Sequence, residues 1–596
     1  MWDFLLCHTI RRFIMDWNTN YYPPVRLIRF AAAAAFSPED SAIIEQGCRI
    51  FQNRILRRCG AAFTQSCADF TITLSLDATI GQQGFSITSD ASSAAISGSC
   101  AMALVYGLGK FLHTSGYSAR GFHPSRWQGT TVPTSPIRGI QLDTHFCNFY
   151  HMAPANELAE YVEDLSLWGI NYIDVVFPFI DLKNWEDPEV EKITGQIHTI
   201  YVTAKALGIK VGMEVVPNQD FVERNESVKG TPNPDPTRRR ANNGHNICPN
   251  LPGAIDYILG HTYGKVFQHL HSHGIVMDFL CFWPYDEGGC GCKACAPWGA
   301  NGYLKASRAI WEVARTYLPD VKVILSTWLF DTPEEGEWEG LTKVLEQGND
   351  WIDCILADSH DDFPQYPLTH GVPGNLPLIN YPEISMWGLH PWGGYGANPL
   401  PDRFEMLWHQ VKDAVNGGIA YSEGIFDDVN KVVVSQFYWD RDTTADATMY
   451  EYIAYEYAPF VYEDVREAIR LIERNQDITK HGVQGKFANT RASIADAQRA
   501  CDLLHKADAQ LDSWAKAAWR WRILVLRAEL DLLRYTRAWE QRDSLTSQTT
   551  WTDVLHGCEE AKVALTEVVQ IFHSNLDYDN TIHPMYRHVR PALMDI

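Results

Sequence analysis

The feature that most constrains the fold is an alternation of short apolar runs with amphipathic stretches, which recurs close to eight times between residues 137 and 460. In the amphipathic stretches, such as 155–169, 302–318 and 402–418, apolar residues recur at helical spacing. Because buried parallel strands form continuous apolar runs, eight strand–helix units predict an α/β fold of the (β/α)8 TIM-barrel type. The predicted strands cover residues 137–143, 171–177, 210–216, 277–283, 322–328, 351–357, 376–381 and 418–424.

An open, doubly wound sheet is the alternative fold that the same alternation allows. Such sheets commonly bind phosphate groups with a Gly-rich loop that follows a strand. The sequence has no GxGxxG after the first predicted strand and no GxxxxGK[ST] at any position. The closed barrel is therefore the favoured prediction.

The chain on either side of the barrel shows other patterns. Between residues 26 and 128, strand-like and helix-like segments mix, with a helix predicted after the N-cap residue Ser37, which indicates a small α/β domain. Beyond residue 461 the strand patterns stop and long amphipathic helices follow. We predict an N-terminal α/β domain at 1–132, the barrel at 133–460 and a C-terminal α-helical domain at 461–596.

The amino-acid composition disfavours some classes of binding partner. The 50 Lys and Arg residues against 73 Asp and Glu residues leave a formal net charge of -23, which repels nucleic acids and anionic membranes. No apolar stretch reaches the roughly 18 residues that a membrane helix needs. The N-terminal segment lacks the charge order of a secretory signal, and the 14 Cys residues are mostly scattered, so we expect a cytoplasmic protein.

Aromatic residues make up 12% of the chain, and although most belong to a core, flat rings also suit sugar rings.

Polar and aromatic residues directly follow the predicted strands, at the end of the barrel where active sites lie. Carboxylates accept hydrogen bonds from hydroxyl groups and aromatic faces cover C–H groups, so this mixture indicates an uncharged carbohydrate ligand. Further strand-end residues of the same kind are Asp181, Glu214, Glu383 and Tyr421. The predicted substrate-binding residues are Asp143, His145, Trp283, Tyr285, Trp328, Asp358, Tyr381, Trp387, Trp392 and Glu423.

Two adjacent carboxylic acids, Asp286 and Glu287, follow the fourth predicted strand between Tyr285 and a Gly-Gly pair. Glycoside cleavage needs a proton donor for the leaving oxygen and a second group that stabilises or attacks the anomeric carbon. Neighbouring acids can serve a substrate that carries its own nucleophile, a 2-acetamido carbonyl, because one orients the amide and the other donates the proton. A solvated acid pair is the alternative interpretation. We predict Asp286 and Glu287 as the catalytic residues.

These features together resemble glycoside hydrolase family 20, the β-N-acetylhexosaminidases, and substrate-assisted relatives such as family 123. The resemblance covers roughly residues 65–460 and includes the helix-forming segment 103–113, the opening strand and the acid pair. It implies that Asp286 polarises the acetamide and that Glu287 is the general acid/base. It also implies aromatic walls from Trp328, Trp387 and Trp392, an amide contact from Tyr381 and contacts of Glu423 with outer sugar hydroxyls.

The sequence departs from the family pattern at two points. It has Phe-Trp-Pro-Tyr before the acid pair in place of His-x-Gly-Gly, and His145 stands where the family usually carries a sugar-binding arginine. The resemblance is therefore to a divergent relative.

The expected function is that of a retaining glycoside hydrolase that releases terminal β-linked N-acetylhexosamine, GalNAc or GlcNAc, from an oligosaccharide or glycoconjugate without a catalytic cofactor. One alternative is an α-glucuronidase-like hydrolase, with Glu287 as acid and Asp358 or Asp361 activating water. The other is a carbohydrate-binding barrel without turnover. The sequence leaves open whether the chain forms a homo-oligomer.

A cysteine cluster directly follows the acid pair. Cys290, Cys292 and Cys295 are closely spaced, and Cys248 ends the preceding barrel loop. Four thiolates would make a closed structural zinc site that holds the catalytic loop and takes no part in hydrolysis. Free thiols or a redox-sensitive pair are the alternative.

Overall fold

The computed structural model describes most of the chain, with gaps in several loops and at both termini. The described residues are 20–145, 148–232, 246–285, 288–331, 336–359, 363–384, 397–476, 493–546, 549 and 551–573. Within these ranges no helix combines the length and the apolar character needed to cross a bilayer. Four predicted site residues, Asp286, Glu287, Trp387 and Trp392, lie outside the described residues, as does Asp361.

A six-stranded sheet with two helices precedes the barrel. Its elements are β1 (Leu27–Ala32), α1 (Pro38–Cys59), β2 (Ala62–Phe63), β3 (Phe70–Leu76), β4 (Phe85–Ser89), β5 (Ser93–Gly98), α2 (Ala101–His113) and β8 (Gly129–Thr131), while β6 (Gly116–Ser118) and β7 (Gly121–His123) pair separately. The strand order is β2-β1-β3-β5-β4-β8, and β4 is antiparallel to both of its neighbours. Ser37 caps α1 as predicted, because its hydroxyl accepts a hydrogen bond from the backbone N–H of Asp40 at 3.1 Å.

Eight parallel strands then form a closed barrel. They are β9 (Ile137–Leu142), β10 (Tyr172–Val176), β11 (Lys210–Val215), β12 (Phe279–Phe282), β13 (Lys322–Ser326), β14 (Cys354–Asp358), β15 (Leu378–Tyr381) and β16 (Gly417–Ser422). Each strand pairs in parallel with the next, and β16 closes the barrel by pairing with β9. All eight overlap the predicted strands, so the predicted TIM-barrel fold is confirmed and the open doubly wound sheet is wrong.

Helices connect the strands around the outside of the barrel. They are α3 (Phe149–Met152), α4 (Ala155–Leu167), α5 (Glu189–Lys205), α6 (Ala254–His261), α7 (Tyr263–Ser272), α8 (Gly302–Ala314), α9 (Glu337–Leu345), α10 (Gln365–His370), α11 (Pro401–Val411) and α12 (Asp428–Trp439). Strand interiors are buried on both faces, as in β12 and β14, where every residue is buried. This explains why the strands are continuous apolar runs in the sequence.

The part that follows the barrel is helical in the described residues, as predicted for the chain beyond residue 461, and its first helix already begins at Ala445. It consists of α13 (Ala445–Glu456), α14 (Tyr462–Asn475), α15 (Ile494–Asp508), α16 (Ser513–Ala517), α17 (Trp519–Glu540), α18 (Trp551–Leu555) and α19 (Glu559–Phe572). The long helical pattern after residue 493 is divided into three helices, because the backbone at Asp512 and at Ala518 is extended.

Buried ion pairs around Arg520 of α17 join all three parts of the chain. The Arg520 guanidinium lies 2.7 Å from Asp428 of α12 and 3.1 Å from Asp164 of α4. On its other side, Asp164 pairs at 2.8 Å with Arg54 of α1. The barrel helices therefore supply carboxylates to cations from both flanking regions.

The first barrel strand is also anchored to a turn and a helix of the N-terminal region. The Arg138 side chain of β9 is fully buried and donates hydrogen bonds to Gln83 at 2.6 Å and to the carbonyl of Gly169 at 2.7 Å. Its guanidinium lies over the ring of Tyr106 in α2, 5.4 Å from the ring centroid. The outward face of β9 is thus held by residues that precede the barrel.

Candidate active site

A polar layer crosses the barrel interior just below the carboxyl ends of the strands. Gln141 of β9 and Glu214 of β11 lie on strands separated by β10, and their side chains meet in the barrel interior. The Gln141 amide donates a hydrogen bond to Glu214 at 2.6 Å and accepts one from the Tyr381 hydroxyl at 2.9 Å. The Tyr381 hydroxyl is thereby occupied by Gln141, and this layer forms the floor of the site.

His145 lies between two carboxylates above that floor. Its Nε2 atom is 2.9 Å from Asp143, and its Nδ1 atom is 2.8 Å from Asp181. Burial is the largest influence and lowers the pKa of His145, but Asp143 and Asp181 outweigh it and raise the pKa well above its usual value. Two carboxyl groups that face the two ring nitrogens favour the charged imidazole, in which both nitrogens are donors.

The Tyr421 hydroxyl lies between Asp143, at 3.0 Å, and one further carboxyl group, that of Glu423, at 2.8 Å. Burial, followed by the charge of Asp143, raises the pKa of Glu423 well above its ordinary value. A protonated Glu423 can donate a hydrogen bond to a ligand as well as accept one. Burial and the nearby Asp143 thus favour the neutral form of Glu423.

An aromatic row follows the same end of the barrel from β12 to β16. The Trp283 ring lies 5.6 Å from Trp328 and 4.6 Å from Tyr381, between centroids, and Tyr381 lies 5.9 Å from Tyr421. The indole N–H of Trp328 donates to Glu383 at 2.6 Å, which fixes the plane of that ring. Asp358 is paired in register with Tyr381 and ends β14 beside this row. These faces can cover the C–H side of a sugar ring.

Tyr285 has a different setting from the other predicted residues. Its hydroxyl donates to the buried carboxylate of Glu337 at 2.7 Å, and Glu337 also accepts from the backbone N–H of Trp298 at 3.0 Å. These bonds attach the start of the loop after β12 to the N-terminus of α9. In the structure Tyr285 therefore holds its loop in place.

The chain on both sides of Asp286 and Glu287 is anchored. Tyr285 is held by Glu337 on one side. On the other side, the Asn218 side chain accepts from the Gly289 N–H at 3.1 Å and donates to its carbonyl at 2.8 Å. The structure thus fixes the points where the chain enters and leaves the predicted catalytic pair.

Four thiols that could hold a metal lie beside these anchors. The Sγ atoms of Cys248, Cys290, Cys292 and Cys295 all lie within 4.8 Å of one another. A second group of possible metal ligands consists of Glu191 of α5, His269 of α7 and His273, which directly follows α7. Glu191 and His273 are exposed.

The structure brings together Asp143, His145, Trp283, Trp328, Asp358, Tyr381 and Glu423 from the predicted set. It adds Asp181, Glu214, Glu383 and Tyr421, which the sequence placed at strand ends but which the predicted set left out. Gln141 and Glu337 were missed entirely. Gln141 could have been found from its position two residues before Asp143, whereas the acidic first turn of a helix gave no signal for Glu337.

Comparison with known proteins gives a fold relationship. No protein-family model matches the sequence, and no curated protein matches it. A family 115 4-O-methyl-α-glucuronidase with specificity for decorated arabinogalactans is similar in structure, with a TM-score of 0.59 and 11% identity over 96% of this chain and 80% of that one. A family 89 glycoside hydrolase from Clostridium perfringens, in complex with its substrate GlcNAc-α-1,4-galactose, has a TM-score of 0.59 and 14% identity over 90% of this chain and 65% of that one.

A family 138 enzyme targeting pectin rhamnogalacturonan II aligns along nearly the whole of both chains, 91% and 92%, with a TM-score of 0.53 and 11% identity. Family 20 structures have lower TM-scores, of 0.49, 0.48 and 0.45, so the relationship to family 20 or family 123 stays a prediction. At these identities the similarity concerns the fold alone. The chain therefore has a TIM-barrel fold with additional elements on both sides of the barrel, similar to the fold of these glycoside hydrolases.

Proposed function

We propose that the protein is a glycoside hydrolase that releases a terminal N-acetylhexosamine from an oligosaccharide or glycoconjugate. The observation that carries this proposal is the grouping of Asp143, Glu423 and Tyr421 beside the aromatic row at the carboxyl ends of the strands. Carboxyl groups next to flat rings suit a sugar ring, which presents hydroxyls at its edge and C–H groups on its face. The similarity in fold to glycoside hydrolases along most of the chain supports the same reaction class.

In this proposal the sugar's own acetamide is the nucleophile. Asp286 orients the acetamide of the substrate. The carbonyl oxygen of this acetamide attacks the anomeric carbon while Glu287 gives a proton to the leaving glycosidic oxygen. Water then opens the cyclic intermediate and returns a proton to Glu287. Two displacements at the anomeric carbon leave its configuration retained.

The charge of the site favours an uncharged sugar over a glucuronate. Among the described side chains at the strand ends, His145 lies between Asp143 and Asp181, and Lys431 pairs with Asp427 just after β16. Glu214 and Glu383 add further carboxyl groups. A uronate carboxylate placed among them would be repelled, whereas hydroxyl groups find acceptors.

The test is hydrolysis of chromogenic glycosides by the wild type, Asp286→Asn and Glu287→Gln. The panel contains β-GlcNAc, β-GalNAc, α-GlcNAc and α-glucuronide, because a family 89 structure holds an α-linked GlcNAc substrate and the family 115 enzyme is an α-glucuronidase. We expect cleavage of a β-linked acetamido sugar, with both variants slower by about 100-fold or more, as for loss of an acid/base group. Glu339→Gln, at an exposed position of α9, is the matched control and should retain full activity.

Two results would contradict the proposal. Cleavage of the glucuronide alone would favour the α-glucuronidase alternative, and absence of cleavage with retained sugar binding would favour a binding protein. The role of the acetamide is tested separately with an N-trifluoroacetyl substrate. Its amide oxygen is a weaker nucleophile, so a substrate-assisted reaction slows, whereas attack by a protein carboxylate does not depend on that oxygen.

A further inference from the structure

Four cysteine thiols converge from two barrel loops that are distant in sequence. Cys248 belongs to the loop after β11, and Cys290, Cys292 and Cys295 belong to the loop after β12. The Sγ atom of Cys248 lies 3.7 Å from that of Cys292 and 3.8 Å from that of Cys295. A tetrahedral site with zinc–sulfur bonds of about 2.3 Å requires sulfur–sulfur separations of roughly 3.8 Å.

From this geometry we propose that Cys248, Cys290, Cys292 and Cys295 bind one zinc ion, which joins the loop after β11 to the loop after β12. All four cysteines are free, and the measured sulfur separations are far longer than the roughly 2 Å of a disulfide bond. The arrangement thus fits four ligands around a common centre better than two cross-linked pairs.

The surroundings of the thiols fit metal-bound thiolates. The backbone N–H of Thr231 donates to the Cys290 sulfur at 3.4 Å, and the Asn250 amide donates to the Cys295 sulfur at 3.2 Å. Lys305 of α8 donates to the amide oxygen of Asn250 at 2.8 Å, which turns the Asn250 nitrogen toward the sulfur. Such hydrogen bonds orient ligands and stabilise the negative charge that four thiolates bring.

The ligand set determines the metal and its role. Four sulfur ligands in a tetrahedral arrangement suit zinc or iron, and zinc is the common choice in structural sites of this kind. Four protein ligands fill the coordination sphere, so the ion has no position for water or substrate. The site is therefore structural.

The site stiffens the segment by which the chain leaves the predicted catalytic pair. Cys290 follows Glu287 by three residues, and the backbone N–H of the adjacent Gly291 donates to the Thr231 carbonyl at 2.6 Å. Asn218 links the same two loops, because its amide donates to the carbonyls of Ile247 and Gly289, both at 2.8 Å. This consequence for catalysis rests on the proposed function, whereas zinc binding itself does not.

The first experiment measures metal content in the full-length protein purified without chelators. Mass spectrometric elemental analysis should find close to one zinc ion per chain in the wild type. Cys248→Ser and Cys295→Ser should lose most of this zinc. Cys67→Ser, which changes an exposed free cysteine outside the cluster, is the matched control and should retain it.

A second experiment needs no variant and so does not depend on whether a variant folds. Native protein is treated with iodoacetamide before and after zinc is removed with a strong chelator, and the modified cysteines are mapped by peptide mass spectrometry. We expect the four cluster cysteines to be protected until zinc is removed, while Cys67 reacts in both samples.

Three results would overturn the zinc assignment. They are a purified protein without zinc, an equal alkylation of the cluster with and without chelator, and bound iron in place of zinc. None of these readouts uses glycoside hydrolysis, so failure of the zinc proposal is distinguishable from failure of the proposed activity.

Discussion

At the scale of single residues, the carboxyl groups of the site differ in their surroundings. Asp143 contacts the imidazole of His145 and the phenol of Tyr421. Glu423 shares the same phenol, but burial and the charge of Asp143 raise its pKa well above the usual range. Similar side chains are thus assigned different hydrogen-bonding roles by their neighbours.

His145 leads to a prediction about pH. Because Asp143 and Asp181 outweigh burial and raise the pKa of His145, its stabilising effect is complete below the unfolded value of about 6.5 and is lost as pH rises through the folded value. His145→Gln should remove this contribution. Urea unfolding of both proteins between about pH 5 and about pH 10 should show a difference in unfolding free energy that shrinks with rising pH.

The control for this experiment is His198→Gln, which changes an exposed histidine of α5. It should leave the unfolding free energy close to that of the wild type at every pH. A constant difference between His145→Gln and the wild type across the range would mean that the imidazole is not charged between its two carboxylates.

At the scale of elements, strand ends bring together side chains that are far apart in the sequence. Trp328 follows β13 and Glu383 follows β15, yet the indole N–H bonds to the carboxylate at 2.6 Å. The bond fixes the ring that, in our proposal, faces the sugar. The orientation of Trp328 therefore depends on an acid that follows β15, two strands away around the barrel.

We predict that Trp328→Phe, which keeps an aromatic ring but removes the N–H donor, lowers the unfolding free energy by about 1.5–3 kcal/mol, as for loss of a hydrogen bond to a charged group. It should also lower kcat/KM on the substrate found in the glycoside panel. Trp351→Phe is the control, since Trp351 precedes β14, at the opposite end of that strand from Asp358, and packs against Trp311 and Phe282. Equal effects of the two substitutions on kcat/KM would show that the Trp328–Glu383 contact has no special role.

The elements also show how much the sequence could predict. Apolar runs were enough to locate all eight barrel strands, because each strand is covered on both faces. Four residues stand at the ends of predicted strands, and this position was enough to predict that they lie at the same end of the barrel. They are Asp143, Trp283, Tyr381 and Glu423. Contacts such as that of Tyr285 with Glu337 could not be predicted, since they depend on the paths of long loops and not on a local pattern.

At the scale of the whole molecule, buried charges connect the barrel with both flanking regions. Arg520 pairs with Asp428 and Asp164, and the side chains of Arg520 and Asp428 are only 9% and 5% exposed. Removal of the Arg520 guanidinium would leave the carboxylates of Asp428 and Asp164 buried without a compensating charge. Loss of one partner of a buried ion pair is strongly destabilising for this reason.

We therefore predict that Arg520→Met lowers the unfolding free energy by about 3–5 kcal/mol, the range for loss of one partner of a buried pair. Arg308→Met provides the matched comparison, because Arg308 pairs with Asp350 at the surface and such pairs contribute about 0–1 kcal/mol. Urea denaturation measures both. Similar small losses in the two variants would mean that the network does not hold the regions together.

The pairing of β16 with β9 has a consequence for synthesis on the ribosome. The first barrel strand begins at Ile137, but its partner ends only at Ser422, so the edge of β9 stays unpaired while the intervening chain is made. At about 5–20 residues per second this takes tens of seconds. Gln83 and Tyr106 are synthesised before Arg138 and contact it in the folded protein. The N-terminal domain can therefore stabilise β9 before β16 is synthesised.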